Sequence, residues 1–103
     1  MKSPGDCTSL QEIRAIIDEL DEQIISLFGI RFRYVKEVVR FKNNKTEIVA
    51  KERFDHVIAH RRILAEQNGI SPDIMEKIYR LLLNYFIEEE YKVLEAKKKD
   101  LSK

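Results

Sequence analysis

Residues 10–42 of the sequence read LQEIRAIIDELDEQIISLFGIRFRYVKEVVRFK. Apolar residues recur in this stretch at intervals of three and four, which is the spacing of one helix face. They are Leu10, Ile13, Ile17, Leu20, Ile24, Leu27, Val35 and Val38. Either Thr8 or Ser9 begins the helix, because each precedes a Gln or Glu by three residues, as in a capping box. The pattern continues to Asn43, so it predicts one helix from residue 9 to about residue 42.

The length of this helix predicts a partner chain. At 1.5 Å per residue, a helix over residues 9 to 42 would be roughly 50 Å long. A compact domain of about 100 residues has a radius of gyration near 13 Å. The helix would therefore extend beyond its own short partners, with an apolar stripe along much of its length. A second copy of the chain is the simplest cover for that stripe, and we predict a homodimer built on this helix.

The chain beyond the first helix predicts two more. Residues 43–49 are polar and predict a loop. A second helix is predicted from about residue 50 to residue 67, and it stops at Asn68-Gly69, a pair typical of a helix C-terminus.

The third helix begins at Ser71-Pro72-Asp73, which supplies an N-cap, a first-position proline and a first-turn acid. We expect it to fray in Lys97-Lys98-Lys99, a solvated basic tail. The predicted fold class is therefore all-α, a three-helix chain with a long first helix. We predict a single domain over residues 1–103, with residues 1–8 and about 97–103 flexible.

Composition narrows the class of protein. The 103 residues are 44% hydrophobic and 36% charged, with three Gly and two Pro, which suits amphipathic helices. A formal net charge of +1 argues against a nucleic-acid partner held by bulk charge. Cys7 is the single cysteine, so an internal disulfide is excluded. The opening MKSPGDCTSL has no apolar core, and no run approaches the length of a membrane span. We predict no signal peptide, no membrane segment and a cytoplasmic location.

The common catalytic motifs are absent from the sequence. It has no Gly-rich phosphate loop, no CxxC pair, and no Cys-His or Ser-His arrangement of a nucleophile and its base. His56 and His60 lie four residues apart on the second helix, a spacing that can bind a metal ion. Without a third ligand such a pair is more often solvated. We therefore predict no metal and no cofactor.

Charged residues on apolar stripes are the main functional signal. Arg31 continues the stripe of the first helix, and Lys42 lies 11 residues further on, about 16 Å along the axis and on the same side. Two such side chains leaning together suit a small dianion. Glu90 follows Phe86 by four and precedes Leu94 by four, so burial should raise its pKa and favour the neutral acid.

Each of these charges alone also fits a solvated side chain at the edge of a stripe. Together they favour a binding site, because buried cations of like sign are costly without an anion. Arg14 precedes Arg31 by 17 residues, about 25 Å along the helix. The two reach one small ligand only if Arg14 comes from an antiparallel partner. The residues alone thus predict a buried anion site shared between subunits, and they do not name the anion.

At these positions the sequence resembles the all-helical chorismate mutase family. Within it, the resemblance is to the isochorismate-pyruvate lyase branch, the salicylate-forming enzymes of siderophore pathways. The motifs are MKSPGDCTSL-x-x-IR at 1–14, RFRYVK at 31–36, RFK at 40–42, AEQNG at 65–69 and YFIEEE at 85–90. The resemblance implies an intertwined homodimer of three-helix chains with two identical active sites, acting on a small dicarboxylate, isochorismate or chorismate.

The resemblance also implies roles for five residues. Arg31, with Arg14 from the other chain, would hold the carboxylates of the substrate. Lys42 would reach its ether oxygen and a neighbouring carboxylate. Glu52 matches a carboxylate that contacts a substrate hydroxyl in the mutases. Glu90 stands where most members have Gln, and it must be protonated to donate a hydrogen bond to the ether oxygen.

The function implied is cofactor-free pericyclic conversion of isochorismate to salicylate and pyruvate, with conversion of chorismate to prephenate as a secondary activity. Ile48 and Lys51 stand where typical bacterial mutases have Asp and Arg, and this again resembles the lyase branch. One alternative is a chorismate mutase of aromatic amino-acid biosynthesis. An alternative of another class is a non-catalytic helical module for dimerisation or ligand sensing.

Overall fold

The computed structural model describes the backbone of residues 1–101 and the side chains of residues 1–100. Within this part the chain has no strand and forms four α-helices joined by short turns. They are α1 (Leu10–Val38), α2 (Lys45–Val49), α3 (Lys51–Gln67) and α4 (Pro72–Leu101), with 3-10 turns at Pro4–Asp6 and Val39–Phe41. The all-helical prediction is confirmed. The predicted loop over 43–49 was wrong, because it contains α2.

The chain separates into two compact units, with the boundary between Tyr34 and Val35. The first unit holds the N-terminal turn and most of α1, and the second holds the described residues from Val35 onward. A single domain with flexible ends at 1–8 and 97–103 stays a prediction, and residues 102 and 103 lie outside the described part. The backbone of α4 is helical through Leu101.

Local hydrogen bonds explain where α1 begins. Ser9 is its N-cap, because the Ser9 hydroxyl accepts from the Glu12 backbone N–H at 3.1 Å. The Glu12 carboxylate in turn accepts from the backbone N–H and the hydroxyl of Thr8, at 3.3 and 3.0 Å. Its ion pair with Lys2, 2.7 Å long, is the main reason that the pKa of Glu12 lies below its ordinary value.

The first helix ends earlier than the sequence predicts. Its α-helical part stops at Val38, and a tighter 3-10 turn follows before Lys42, whose backbone is extended at φ −113° and ψ 140°. Tertiary packing explains the change, because Val39 is buried in a cluster with Ile48 and Leu94. The predicted end near residue 42 was therefore wrong.

The short helix α2 is defined by a reciprocal cap. The Asn44 side chain accepts from the Glu47 backbone N–H at 2.9 Å, and the Glu47 carboxylate accepts from the Asn43 backbone N–H at 2.6 Å. Ile48 anchors α2 in the buried cluster. Ala50 then adopts a left-handed conformation, φ 43°, and separates α2 from α3. The second predicted helix thus begins at Lys51, one residue after its predicted start.

The predicted stop and restart between the second and third predicted helices are confirmed. Gly69 is left-handed at φ 72°, its N–H donates to the Glu66 carbonyl, and the Ile70 N–H donates to the Ala65 carbonyl at 2.9 Å. These two bonds are those of a Schellman motif. Ser71 then caps α4 by accepting from the Ile74 N–H at 3.3 Å.

An ion network holds α3 to α4 beside this turn. Arg62 of α3 pairs with Asp73 and with Glu76 of α4, at 2.9 and 2.8 Å. Arg80 donates to the second oxygen of Glu76 at 2.8 Å. Hydrogen bonds from Arg80, and then from Arg62, lower the pKa of Glu76. Hydrogen bonds to Asp73, and then to Glu76, raise the pKa of Arg62.

Among the helices of the described part, none combines the length and apolar character that a bilayer crossing requires. The cytoplasmic location stays a prediction.

Candidate functional site

Glu90 lies in the buried face of α4. Its residue is 7% exposed, and the residues one turn before and after it, Phe86 and Leu94, are buried as well. This is the placement that the spacing of four residues indicates. A carboxyl group can donate a hydrogen bond only in its protonated form.

Lys42 lies just beyond the 3-10 turn that follows α1. Its side chain is half-buried, and its backbone N–H donates to the Val39 carbonyl at 3.0 Å. The prediction that one helix carries both Arg31 and Lys42 on the same side was wrong, because α1 ends at Val38, four residues before Lys42.

The segment that carries Lys42 and the helix that carries Glu90 meet in one cluster. Val39, three residues before Lys42, is buried with Ile48 of α2 and with Leu94, one turn after Glu90. The fold therefore brings these two elements together in the second compact unit. Roles for Lys42 and Glu90 in catalysis stay predictions.

The ammonium group of Lys97 contacts the backbone of the segment that carries Val39 and Lys42. Its Nζ lies 3.4 Å from the carbonyl oxygen of Val39, 3.3 Å from that of Arg40 and 3.2 Å from that of Lys42. The prediction that Lys97 belongs to a solvated tail was wrong. Spacing offered a signal, because Lys97 follows Leu94 by three residues and so continues the stripe of Glu90.

Glu52 occupies the first turn of α3 and is exposed. Its neighbour Lys51 forms an exposed ion pair with Asp55 at 3.1 Å. Ile48, in contrast, is buried in the cluster with Val39. An acidic side chain at position 48 would therefore enter an apolar environment in this chain, at a cost in free energy.

Arg14 and Arg31 both lie on α1, in the first compact unit. Arg14 is exposed and Arg31 is half-buried. Because α1 is helical from Leu10 to Val38, the 17 residues between the two arginines correspond to about 25 Å along the axis. Arg14 and Arg31 of the same chain therefore cannot both contact one small ligand.

The apolar stripe of α1 remains uncovered in the single chain. None of the 29 residues of α1 is buried. Six members of the stripe expose between 39% and 64% of their surface, namely Leu10, Ile13, Ile17, Leu20, Ile24 and Leu27. Their alternating steps of three and four are those of a seam between two helices.

His56 and His60 lie side by side on α3. Their rings are stacked, with centroids 6.0 Å apart and planes 9° apart. Within residues 1–101 no group of three or more His, Cys, Asp or Glu side chains is arranged to hold a metal ion.

Known proteins resemble the chain over nearly its whole length. Residues 13–91 match the family described as chorismate mutase type II. The isochorismate pyruvate lyase of Pseudomonas aeruginosa is 37% identical over 92 residues, which cover 89% of this chain and 91% of that protein. The chorismate mutase of Methanocaldococcus jannaschii is 31% identical over 85 residues, or 80% of this chain and 86% of that protein. The T-protein of Haemophilus influenzae is 36% identical over 84 residues, but these are only 21% of its length.

The helical fold and these similarities agree on one class of protein. The chain belongs to the chorismate mutase type II family and is an enzyme of that family. The resemblance predicted from its motifs is confirmed.

Proposed function

We propose that the protein is an isochorismate pyruvate lyase with chorismate mutase activity as a secondary reaction. The observation that carries the proposal is the position of Glu90, a carboxyl group buried on α4 where that helix packs against the segment ending in Lys42. Lys42 would supply a cation and protonated Glu90 a neutral hydrogen-bond donor. Together they could stabilise the negative charge that develops on the ether oxygen of an enolpyruvyl substrate as its C–O bond breaks.

Two observations favour the lyase reaction over the mutase reaction. The similarity to the Pseudomonas lyase covers 91% of that protein at 37% identity. Typical bacterial mutases have Asp at the position that corresponds to Ile48. In this chain Ile48 is a core residue and offers no polar contact to a substrate.

Both reactions move electrons within one bound molecule. With isochorismate, a ring hydrogen passes to the terminal carbon of the enolpyruvyl group as the C–O bond breaks, giving salicylate and pyruvate. With chorismate, a C–C bond forms as the C–O bond breaks, giving prephenate. Neither path requires a nucleophile or a base from the protein.

The protein then has two tasks. Holding the enolpyruvyl group folded over the ring is a proximity effect, worth up to about 7–11 kcal/mol in favourable cases. Lys42 and protonated Glu90 would stabilise the charge on the ether oxygen, and loss of one such donor typically costs about 3–4 kcal/mol. Arg31 would hold a substrate carboxylate, and exposed Glu52 a hydroxyl.

The active form in this proposal is a homodimer with two shared sites. The uncovered stripe of α1 supports it, because an apolar face of that length is unfavourable in water. The separation of the two arginines along α1 supports it too, since Arg14 could then enter the site from the other chain.

The test is to incubate the purified protein with isochorismate and with chorismate across pH 5 to 8 and to identify the products. The proposal expects salicylate and pyruvate at the higher efficiency. Lys42→Ala should abolish both reactions, whereas Lys77→Ala, which removes an exposed lysine of α4, should leave them unchanged. Near-normal turnover in Lys42→Ala would contradict the proposal.

The second candidate is a chorismate mutase, which the similarity to the Methanocaldococcus enzyme favours. Prephenate as the dominant product would support the mutase and contradict the lyase proposal. If neither substrate reacts but a dicarboxylate raises Tm, a ligand-sensing module becomes the better description.

A further inference from the structure

The ammonium group of Lys97 donates hydrogen bonds to three backbone carbonyl groups of a segment distant in sequence. A lysine has three N–H donors and no acceptor. The Lys97 Nζ contacts three carbonyl oxygens, those of Val39, Arg40 and Lys42, at 3.2 to 3.4 Å. The three acceptors lie 55 to 58 residues earlier in the chain.

Electrostatics explains why a cation lies at this point. The last carbonyl groups of a helix have no partner within it, and they carry the negative end of the helix dipole. The carbonyls of Val39 and Arg40 belong to the 3-10 turn that extends the end of α1, and that of Lys42 follows this turn. The Val39 carbonyl also accepts from the Lys42 N–H, so the ammonium is its second donor. Among the described residues no carboxylate forms an ion pair with Lys97, so these carbonyl dipoles are what surrounds its charge.

Packing delivers Lys97 to this position. Leu94 lies three residues before it on α4 and is buried against Val39. Lys97 itself is half-buried, whereas Lys98, the next residue, is exposed. The two lysines therefore differ in their environment although both belong to the same basic run.

Lys42 depends on this contact more than a residue inside a helix would. Its backbone is extended, so no helical ladder holds it. The Lys42 carbonyl accepts from the Lys97 ammonium, and the Lys42 N–H donates to the Val39 carbonyl. The N–H of the next residue, Asn43, donates to the Glu47 carboxylate. Loss of the ammonium would leave three carbonyls without that donor and would loosen the segment that presents the Lys42 side chain.

We propose that Lys97 is a positioning residue, whose ammonium group clamps residues 39–42 to α4 and thereby fixes Lys42 in the active site. This inference rests on the proposed function, in which Lys42 contacts the ether oxygen of the substrate. The clamp acts on the reaction only through Lys42.

Three variants test the clamp. Lys97→Met keeps a long side chain but removes the charge and the N–H donors. Lys97→Arg keeps the long side chain, the charge and the donors. Lys98→Met makes the same change of charge one residue away and is the matched control. The measurements are kcat and KM with isochorismate, and hydrogen exchange at the backbone amides of residues 42–44.

Lys97→Met is expected to lower kcat by about 10- to 100-fold, because a catalytic group displaced by about 1 Å loses that much. KM should change much less, and exchange at residues 42–44 should become faster. Lys97→Arg should recover most of kcat and of the protection, and Lys98→Met should match the unmodified protein. If Lys97→Met does not fold, Lys97→Gln takes its place with the same readings.

The clamp is overturned if Lys97→Met keeps the kcat and the exchange rates of Lys98→Met. It is also overturned if kcat falls while exchange at residues 42–44 is unchanged, since the loss then does not pass through this segment. Absence of any product from the unmodified protein would contradict the proposed function instead. In that case the exchange rates alone decide whether Lys97 holds the segment.

Discussion

Glu90 and Leu94 occupy successive turns of the same buried face of α4, so a carboxyl group and an apolar side chain share one environment. Leu94 is 1% exposed and packs against Val39 and Ile48. Phe86, one turn before Glu90, is buried as well, so apolar side chains precede and follow the carboxyl group along this face.

The rate of salicylate formation is expected to fall as the pH rises from 5 to 8. In the proposed function Glu90 donates to the ether oxygen, which requires its protonated form, and the ionised form would repel a dianionic substrate. Glu90→Gln carries a neutral donor at every pH and should flatten the profile of kcat/KM. Glu89→Gln, a change of the preceding residue, which pairs with Lys92, serves as the control and should keep the slope. An identical slope in Glu90→Gln would show that another group titrates.

Mixing two inactive variants is expected to restore activity. Arg14→Ala and Arg31→Ala each damage both sites of a homodimer in which every site takes one arginine from each chain. A mixed dimer has one site with both arginines and one with neither. Equal mixing by co-refolding should therefore restore about a quarter of the intact sites. Each variant refolded alone is the control, and no recovery in the mixture would place both arginines in the same chain's site.

Thermal stability is expected to decrease on the acid side through Glu76. Arg80, and then Arg62, hold the pKa of this carboxyl below its ordinary value of 4.5 in the folded protein. The ion network thus stabilises the fold above the unfolded-state pKa, and the contribution is lost as the pH falls through the lower folded-state value. Glu76→Gln should lower Tm by a few degrees at pH 7 and reduce its loss between about pH 5 and pH 3.

Glu66→Gln removes an exposed carboxylate of α3 and is the control for this measurement. Scanning calorimetry at several pH values gives Tm for both variants. Equal pH profiles for Glu76→Gln and the unmodified protein would mean that the network contributes nothing to stability.

Gly69→Ala is expected to destabilise the fold by about 1–2 kcal/mol, the cost of a left-handed backbone for a residue with a Cβ atom. Gly69 has φ 72°, and a Cβ there would meet no atom within 4 Å, so the cost is conformational and not steric. Urea unfolding measures it as a lower midpoint at unchanged m. Gly5→Ala, at a glycine without positive φ and with equal space, should be close to neutral. A neutral Gly69→Ala would contradict the Schellman geometry.

Local signals in the sequence were sufficient for most of the helical frame. Ser9, Gly69 and Ser71 take the cap positions that their residue types predict, because capping depends on a few neighbouring backbone groups. The burial of Glu90 also followed from its spacing along one face of a long helix.

Two of the errors have a common physical origin in distant contacts. Periodicity predicted one helix through residue 42, but Val39 turns into a cluster with Leu94, 55 residues away in sequence. The contacts of Lys97 with residues 39–42 likewise depend on tertiary packing: spacing places Lys97 on the stripe of Leu94, but it does not identify the carbonyl groups that the ammonium meets. A five-residue helix such as α2 is too short for a periodic pattern, although Asn44 followed by Glu47 was a capping signal. Ala50 adopts a left-handed conformation that residue type would assign to glycine.

In the dimer proposed above, the uncovered face of α1 would make folding and association one process. A chain that loses its partner then returns the whole apolar seam to water, so the folded monomer has little stability of its own. Each tenfold dilution then lowers the apparent free energy of unfolding by about 1.4 kcal/mol per dimer. Enzyme assays at nanomolar concentration would therefore measure assembly together with chemistry, and turnover per chain would rise with the amount of protein in the cuvette.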